Sequence, residues 1–200
     1  MKIFCIGLNY KKHIEEMKHF AYPENPVVFM KPPTALLKNN QDFYYPAFSN
    51  DVHYEGEVVL RIGKNGKKIQ EKFATNYIDS FTLGFDFTAR DVQAQLKKNG
   101  WPWEIAKGFD GAAFIGDFLP YENKAINFEI KKNNQTVQIG NTNDLIFSFE
   151  RIISYISQFF TLQQGDLIFT GTPEGVGPVQ IGDELQAFIN EKCITTCTIK

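Results

Sequence analysis

The chain has 200 residues, 43% hydrophobic and 22% charged, the make-up of a globular domain long enough to bury one core. A net charge of −2 with no long basic cluster excludes a nucleic-acid footprint, and no apolar run reaches membrane-spanning length. Three cysteines (Cys5, Cys193 and Cys197), an odd count without metal-ligand spacing, fit a reducing cytoplasm and read as small apolar side chains.

Residues 3–8 form the first expected strand, and the short apolar run after a single lysine reads as that strand rather than a signal peptide. Asn9 is placed to cap a short helix carrying His13, Glu16, Met17 and Phe20 at helical spacing. The prolines of Tyr22-Pro23-Glu24-Asn25-Pro26 exclude helix. Residues 27–31 are a strand stopped by Pro32-Pro33, and residues 34–50 are loop and edge strand. A strand over 53–62 leads to a hairpin-type turn at Lys64-Asn65-Gly66-Lys67 and a short helix over 75–79. Residues 81–87 alternate strictly. Phe81, Leu83, Phe85 and Phe87 would face a core, with Thr82, Gly84 and Asp86 on the other face, so that Asp86 looks into a polar site. Residues 89–98 predict a helix ended by Asn99-Gly100. Strands follow near 112–116, 126–131 and 135–139, then a helix over 148–160 opened by Ser148, a strand into Thr170, and two C-terminal strands. Strand-dominated order and nineteen phenylalanines predict a single α+β, mainly β domain with an aromatic core over residues 1–200.

Glu55 and Glu57 alternate on one face of the third strand, their carboxylates about 6–7 Å apart by the strand rise. Charges that close repel unless a cation lies between them, and Mg²⁺ or Mn²⁺ prefers such oxygens. A solvated edge strand is the plain alternative, but Asp86, an acid isolated among phenylalanines, is costly unless paired. Three carboxylates leave about half of an octahedral shell open, as a catalytic ion requires. His13 and Glu16, three apart on a helix, can form a general-base dyad, although a surface ion pair is the commoner use of that spacing. Lys107, in an apolar segment broken by Gly108, either stabilises a developing oxyanion or snorkels to the surface. Thr170-Gly171-Thr172-Pro173-Glu174-Gly175-Val176-Gly177 can present backbone N–H groups to an anion or simply turn between strands.

Taken in order, six stretches resemble the fumarylacetoacetate hydrolase family, in its short acylpyruvate hydrolase and oxaloacetate decarboxylase-like branch. They are Gly7-Leu8-Asn9-Tyr10 with His13 and Glu16, then residues 26–33 (PVVFMKPP), 53–57 (HYEGE), 86–93 (DFTARDVQ), 102–110 (PWEIAKGFD) and 166–177 (DLIFTGTPEGVG). The resemblance implies a rolled mixed β-sheet and a homodimer. It implies Glu55, Glu57 and Asp86 as ligands of Mg²⁺ or Mn²⁺, and His13 with Glu16 as a water-activating dyad on a mobile lid over residues 9–25. It implies Lys107 beside the substrate, with Arg90, Gln93 and Thr172 nearby. The expected activity is cleavage of 3-acylpyruvates to pyruvate and a carboxylate. Oxaloacetate decarboxylation, or isomerisation of a 2-oxo acid, is the alternative use of the same chelate, and a noncatalytic metal-binding module is a third reading. The partner would be a small 2-oxo acid. Leu8 and Phe85 stand where many relatives have arginine and asparagine.

Overall fold

Nineteen phenylalanines demand flat, layered burial, and strands supply it. The computed structural model describes residues 1–16, 22–38 and 41–200. In chain order the first elements are β1 (Ile3–Gly7), α1 (Lys11–Glu16), β2 (Val27–Lys31), β3 (Leu36–Lys38), β4 (Val52–Tyr54), β5 (Gly56–Ile62), α2 (Glu71–Ala74), β6 (Ile78–Asp86), β7 (Thr88–Ala89) and α3 (Arg90–Asn99). Next come α4 (Glu104–Lys107), β8 (Ala113–Ile115), β9 (Leu119–Pro120), β10 (Asn127–Lys132) and β11 (Gln135–Asn141). The last are α5 (Phe149–Phe159), β12 (Leu167–Phe169), β13 (Gly177–Pro178), β14 (Glu184–Ile189) and β15 (Lys192–Thr198).

An eight-stranded sheet runs β2-β1-β12-β5-β6-β8-β3 with β9 beside β6, parallel at β1–β12 and β3–β8 and antiparallel elsewhere. It curls into a half-barrel, so the expected mainly β, rolled mixed sheet is what forms. A four-stranded antiparallel sheet, β11-β10-β14-β15, and a three-stranded sheet, β13-β4-β7, complete the fold. The larger core packs Phe4, Leu60, Leu83, Phe85 and Phe114 against Ile152, Ile153 and Ile156 of α5, all fully buried. Burying each such side chain contributes about 1.5–3 kcal/mol. Ser148 caps α5 by accepting from Arg151 N, as its place in the sequence predicts. Among the described residues no helix is long and apolar enough to cross a membrane.

Several expectations need correction. The helix expected over 75–79 lies earlier, at Glu71–Ala74, followed by a 3₁₀ turn at Thr75–Tyr77; Ile78 and Asp79 already belong to β6. The turn at residues 64–67 therefore does not close a hairpin, because two helical turns separate β5 from its partner β6. The face of Thr82, Gly84 and Asp86 is mixed: Asp86 looks into a polar cluster with Glu55 and Glu57, as expected, but the surroundings of Gly84 are largely apolar. Val59 and Phe169, members of a second apolar cluster, flank it: a Cβ on Gly84 would stand 3.0 Å from Val59 and 3.2 Å from Phe169. Asn9 does not cap α1. Its amide donates to the carbonyls of Phe147 and Thr170 and accepts from Phe147 N, tying the loop after β1 to the second half of the chain. Met17 and Phe20, expected to continue the first helix, lie outside the described residues.

Candidate active site

The long strand expected over 53–62 breaks at Glu55, which lies between β4 and β5. There the chain leaves the small sheet and enters the large one, and Asp86 N donates to Glu55 O at 2.9 Å. Since β5 and β6 pair with Glu57 opposite Gly84 and Gly56 opposite Phe85, the ends of the two strands bring all three acids together. Glu55, Glu57 and Asp86 each offer a carboxylate oxygen within 4.8 Å of the others, and all are buried.

Cations surround this cluster unevenly. Lys107, 3% exposed, donates to Glu55 Oε2 at 2.7 Å and Asp86 Oδ2 at 2.9 Å. The open choice between a surface lysine and one aimed at the site falls to the second. Arg90 Nη2 donates to Glu55 Oε1 at 2.6 Å, and its Nη1 to Gln93 Oε1 at 2.9 Å. Burial alone would raise the Glu55 pKa, but Lys107 and Arg90 overcome it and hold the carboxyl well below its usual range. Burial likewise disfavours the Lys107 ammonium, yet Asp86 and Glu55 outweigh it and raise its pKa. Glu57 differs: its Oε2 accepts from Gly171 N at 2.7 Å, and burial, then the charges of Asp86 and Glu55, push its pKa well up.

A divalent ion fits this donor set. Glu57 carries like-charge repulsion that Gly171 N and Lys107 relieve only in part, and Asp86 Oδ1, though 2.7 Å from Lys31 Nζ, lies off hydrogen-bond geometry and has no hydrogen-bond partner. Hard carboxylate oxygens, one orphaned and one paired only to a backbone N–H, are the chemistry Mg²⁺ or Mn²⁺ binds.

His13 Nδ1 lies 3.4 Å from Glu16 Oε2, three residues on in α1. With Nδ1 turned to the carboxylate, Nε2 is the nitrogen left for proton transfer. Burial lowers the His13 pKa against the opposing pull of Glu55 and Glu16, so the ring is neutral near pH 7. Glu16 also accepts from Gly175 N at 3.3 Å, which joins α1 to the loop of residues 170–177. That loop needs glycine at 171. Its φ is +103°, and a Cβ would stand 2.7 Å from Asn9 Cβ. The Thr172 hydroxyl donates to Gly56 O at 2.9 Å and accepts from Gln138 Nε2 at 2.8 Å, so it holds the site as well as lining it.

His13, Glu55, Glu57, Asp86, Arg90, Gln93, Lys107 and Thr172 all border one small cavity of about 40 Å³, lined also by Phe29, Trp103 and Leu8. Of the expected site residues, only Glu16 stands behind this wall, against His13. Leu8 adopts φ +59°, a strained conformation for a branched side chain, at the point where the chain turns from β1 into the cavity wall.

Two residues that hold the site escaped sequence reasoning. Lys31, 2% exposed, donates to the carbonyls of Phe87 at 3.3 Å, Ala112 at 3.0 Å and Lys107, and pairs with Asp86. Its signal was present: a cation closing an apolar strand before two prolines. Gln138 of β11 accepts from Gly56 N at 2.9 Å and donates to Thr172 Oγ1 and to Pro173 O, clamping the acidic strand to the 170–177 loop. A glutamine in an antiparallel hairpin carries no such signal.

The family model of the fumarylacetoacetate (FAA) hydrolase C-terminal domain matches residues 2–200. Mouse (Mus musculus) oxaloacetate tautomerase FAHD1, mitochondrial, is 41% identical over 192 residues, covering 94% of this chain and 86% of that protein. Escherichia coli (strain K12) oxaloacetate tautomerase YcgM is 40% identical over 202 residues, covering 98% and 91%. Among solved structures, fumarylpyruvate hydrolase from Pseudomonas aeruginosa, in complex with Mn²⁺ and pyruvate, superposes with a TM-score of 0.94 at 33% identity, covering all of this chain and 89% of that one.

Proposed function

The chain belongs to the fumarylacetoacetate hydrolase family, and from that premise we propose that it is a metal-dependent enzyme of 2-oxo acids whose principal reaction is keto–enol tautomerisation of oxaloacetate. The observation that carries the reading is one cavity bordered by three buried acids, a lysine and an arginine paired to them, and a neutral histidine held by a carboxylate. The oxaloacetate tautomerases that resemble it along nearly its whole length favour this reaction over others the same groups could run.

Glu55, Glu57 and Asp86 would hold Mg²⁺ or Mn²⁺, which supplies Lewis-acid polarisation of the 2-oxo group and so acidifies the neighbouring C3–H. The chain's own groups do the rest. His13, neutral because burial lowers its pKa, takes a proton through Nε2 and returns it, exchanging a proton between C3 and the enol oxygen with no net change of atoms. Glu16 fixes the ring and stabilises its charged form. Lys107 stays protonated and faces negative charge that grows on the substrate. Arg90, Gln93 and Thr172 line the space the substrate would fill.

Hydrolysis of 3-acylpyruvates is the second reading, supported by the likeness to a fumarylpyruvate hydrolase. His13 would then deprotonate water, which adds to the distal carbonyl; the C2-side fragment departs as pyruvate after protonation at C3. We extend the same proposal to a homodimer in the cytoplasm; the free thiols of Cys5, Cys193 and Cys197 suit a reducing compartment. The lid expected over residues 9–25 includes residues 17–21, which lie outside the described residues.

The test follows the decay of enol absorbance of oxaloacetate with Mg²⁺, Mn²⁺ or chelator, beside a panel of 3-acylpyruvates. Metal-dependent acceleration, lost with chelator and in Asp86→Asn, is the expected result. A folded protein that binds the ion yet accelerates neither reaction would overturn the reading.

A further inference from the structure

Arg90, Gln93 and Lys97 occupy positions i, i+3 and i+7 of α3, and all three border the cavity. At about 100° per residue Lys97 returns to within about 20° of Arg90, roughly 10 Å further along the axis. Helical side chains lean toward the N-terminus, so the Lys97 stem reaches back over the cavity toward Arg90. Its ammonium lies 5.1 Å from the Trp103 ring centroid, and Trp103 also lines the cavity. The cavity therefore has two ends. One is the acid cluster with the cations paired to it; the other is a lysine over an aromatic wall, two helical turns away.

We propose that Lys97, at the end remote from the acid cluster, is a subsite for a second carboxylate on the substrate, which selects dicarboxylic 2-oxo acids over their monocarboxylic counterparts. The inference rests on the 2-oxo acid reading of this cavity and adds a residue and a selectivity to it. A short substrate whose 1-carboxylate and 2-oxo group face the acids must direct its far end along α3. A carboxylate there meets a half-buried ammonium, where an ion pair is stronger than at an open surface. A methyl group in its place would form no ion pair with that ammonium, so the monocarboxylic acid gains less on binding. Burial first, then the charges of Arg90 and Lys107, lower the Lys97 pKa to about 8, so the residue feels the field of the site; an arriving anion would restore it.

The experiment uses the full chain with Mg²⁺ and two variants, Lys97→Gln and Lys97→Arg, each checked for an unchanged melting curve. Losing a charge-assisted hydrogen bond predicts a rise of about 10- to 100-fold in KM for oxaloacetate in Lys97→Gln, with kcat within a few-fold. Lys97→Arg, which keeps the charge, should recover most of that loss. Calorimetry gives the second readout: 2-oxoglutarate should lose affinity in Lys97→Gln, while pyruvate, which has no second carboxylate, binds as before. An oxaloacetate KM and a 2-oxoglutarate affinity both within twofold of wild type would overturn the subsite. So would an equal loss for pyruvate, which would mean that Lys97 acts on the acid end. If the wild type turns over neither oxaloacetate nor acylpyruvates, the tautomerase reading fails by itself, and the calorimetric pair still decides the subsite.

Discussion

Replacing Glu57 with glutamine should stabilise the metal-free protein and abolish its stabilisation by metal. Glu57 is 2% exposed, its Oε2 held by Gly171 N, and its carboxylate shares a 4.8 Å cluster with Glu55 and Asp86. At an effective dielectric of about 20, two like charges at that distance repel by about 3.5 kcal/mol. Lys107 offsets part of this, so a net relief of about 1–2 kcal/mol is reasonable, and the amide oxygen can still accept from Gly171 N. For a chain of this length that is a rise of about 2–8 °C in melting temperature. The sign with pH follows from the raised pKa of Glu57. A carboxyl with a higher pKa folded than unfolded contributes stability below its unfolded value and loses it as pH rises toward the folded value. The variant's advantage in chelator should therefore widen as pH climbs from 5 to 8. With excess Mg²⁺ the order should reverse, because ligand binding stabilises only the protein that binds it. Thermal melts in chelator and in Mg²⁺ across that range decide the matter. A variant less stable than wild type in chelator at pH 8, or one still stabilised by Mg²⁺ to the wild-type extent, would refute the reasoning.

The general-base assignment predicts that His13→Ala lowers turnover about 10²–10⁴-fold with the fold intact, read by steady-state kinetics beside circular dichroism. Because burial lowers the His13 pKa below 6.5, the acid limb of kcat/KM should fall below that value; Glu16→Gln, which removes a group raising that pKa, should move the limb lower still and reduce kcat. Gln138→Ala leaves the buried Gly56 N–H without its acceptor and should cost about 1–3 kcal/mol in urea unfolding. Gly56→Ala places a Cβ 2.4 Å from Ile130 Cγ1 and 2.9 Å from Gln138 Oε1. Overpacking there should cost about 1–3 kcal/mol and weaken Mg²⁺ binding, because the glycine separates two of the proposed ligands; unchanged calorimetric affinity would contradict it.

Local rules account for much of what the chain builds. The Pro32-Pro33 pair ends β2, Ser148 opens α5, Gly100 at φ +67° closes α3, and alternating phenylalanines place β6 in the core, each decided within a few residues of backbone. The acids, the dyad spacing and the loop glycines are legible for the same reason. What neighbours in space decide is not. Thr82 and Gly84 share the face of Asp86, yet at Gly84 the neighbours brought close by the curled sheet are the apolar Val59 and Phe169. Lys107 reads equally as surface or site until the ends of two strands surround it with carboxylates. Lys31 and Gln138 lie far along the chain from most of the groups they hold, and their roles exist only once sheet closure has brought those groups together. Residue spacing sets which side chains share a face; burial, which sets charge and affinity, depends on what the rest of the chain lays over that face.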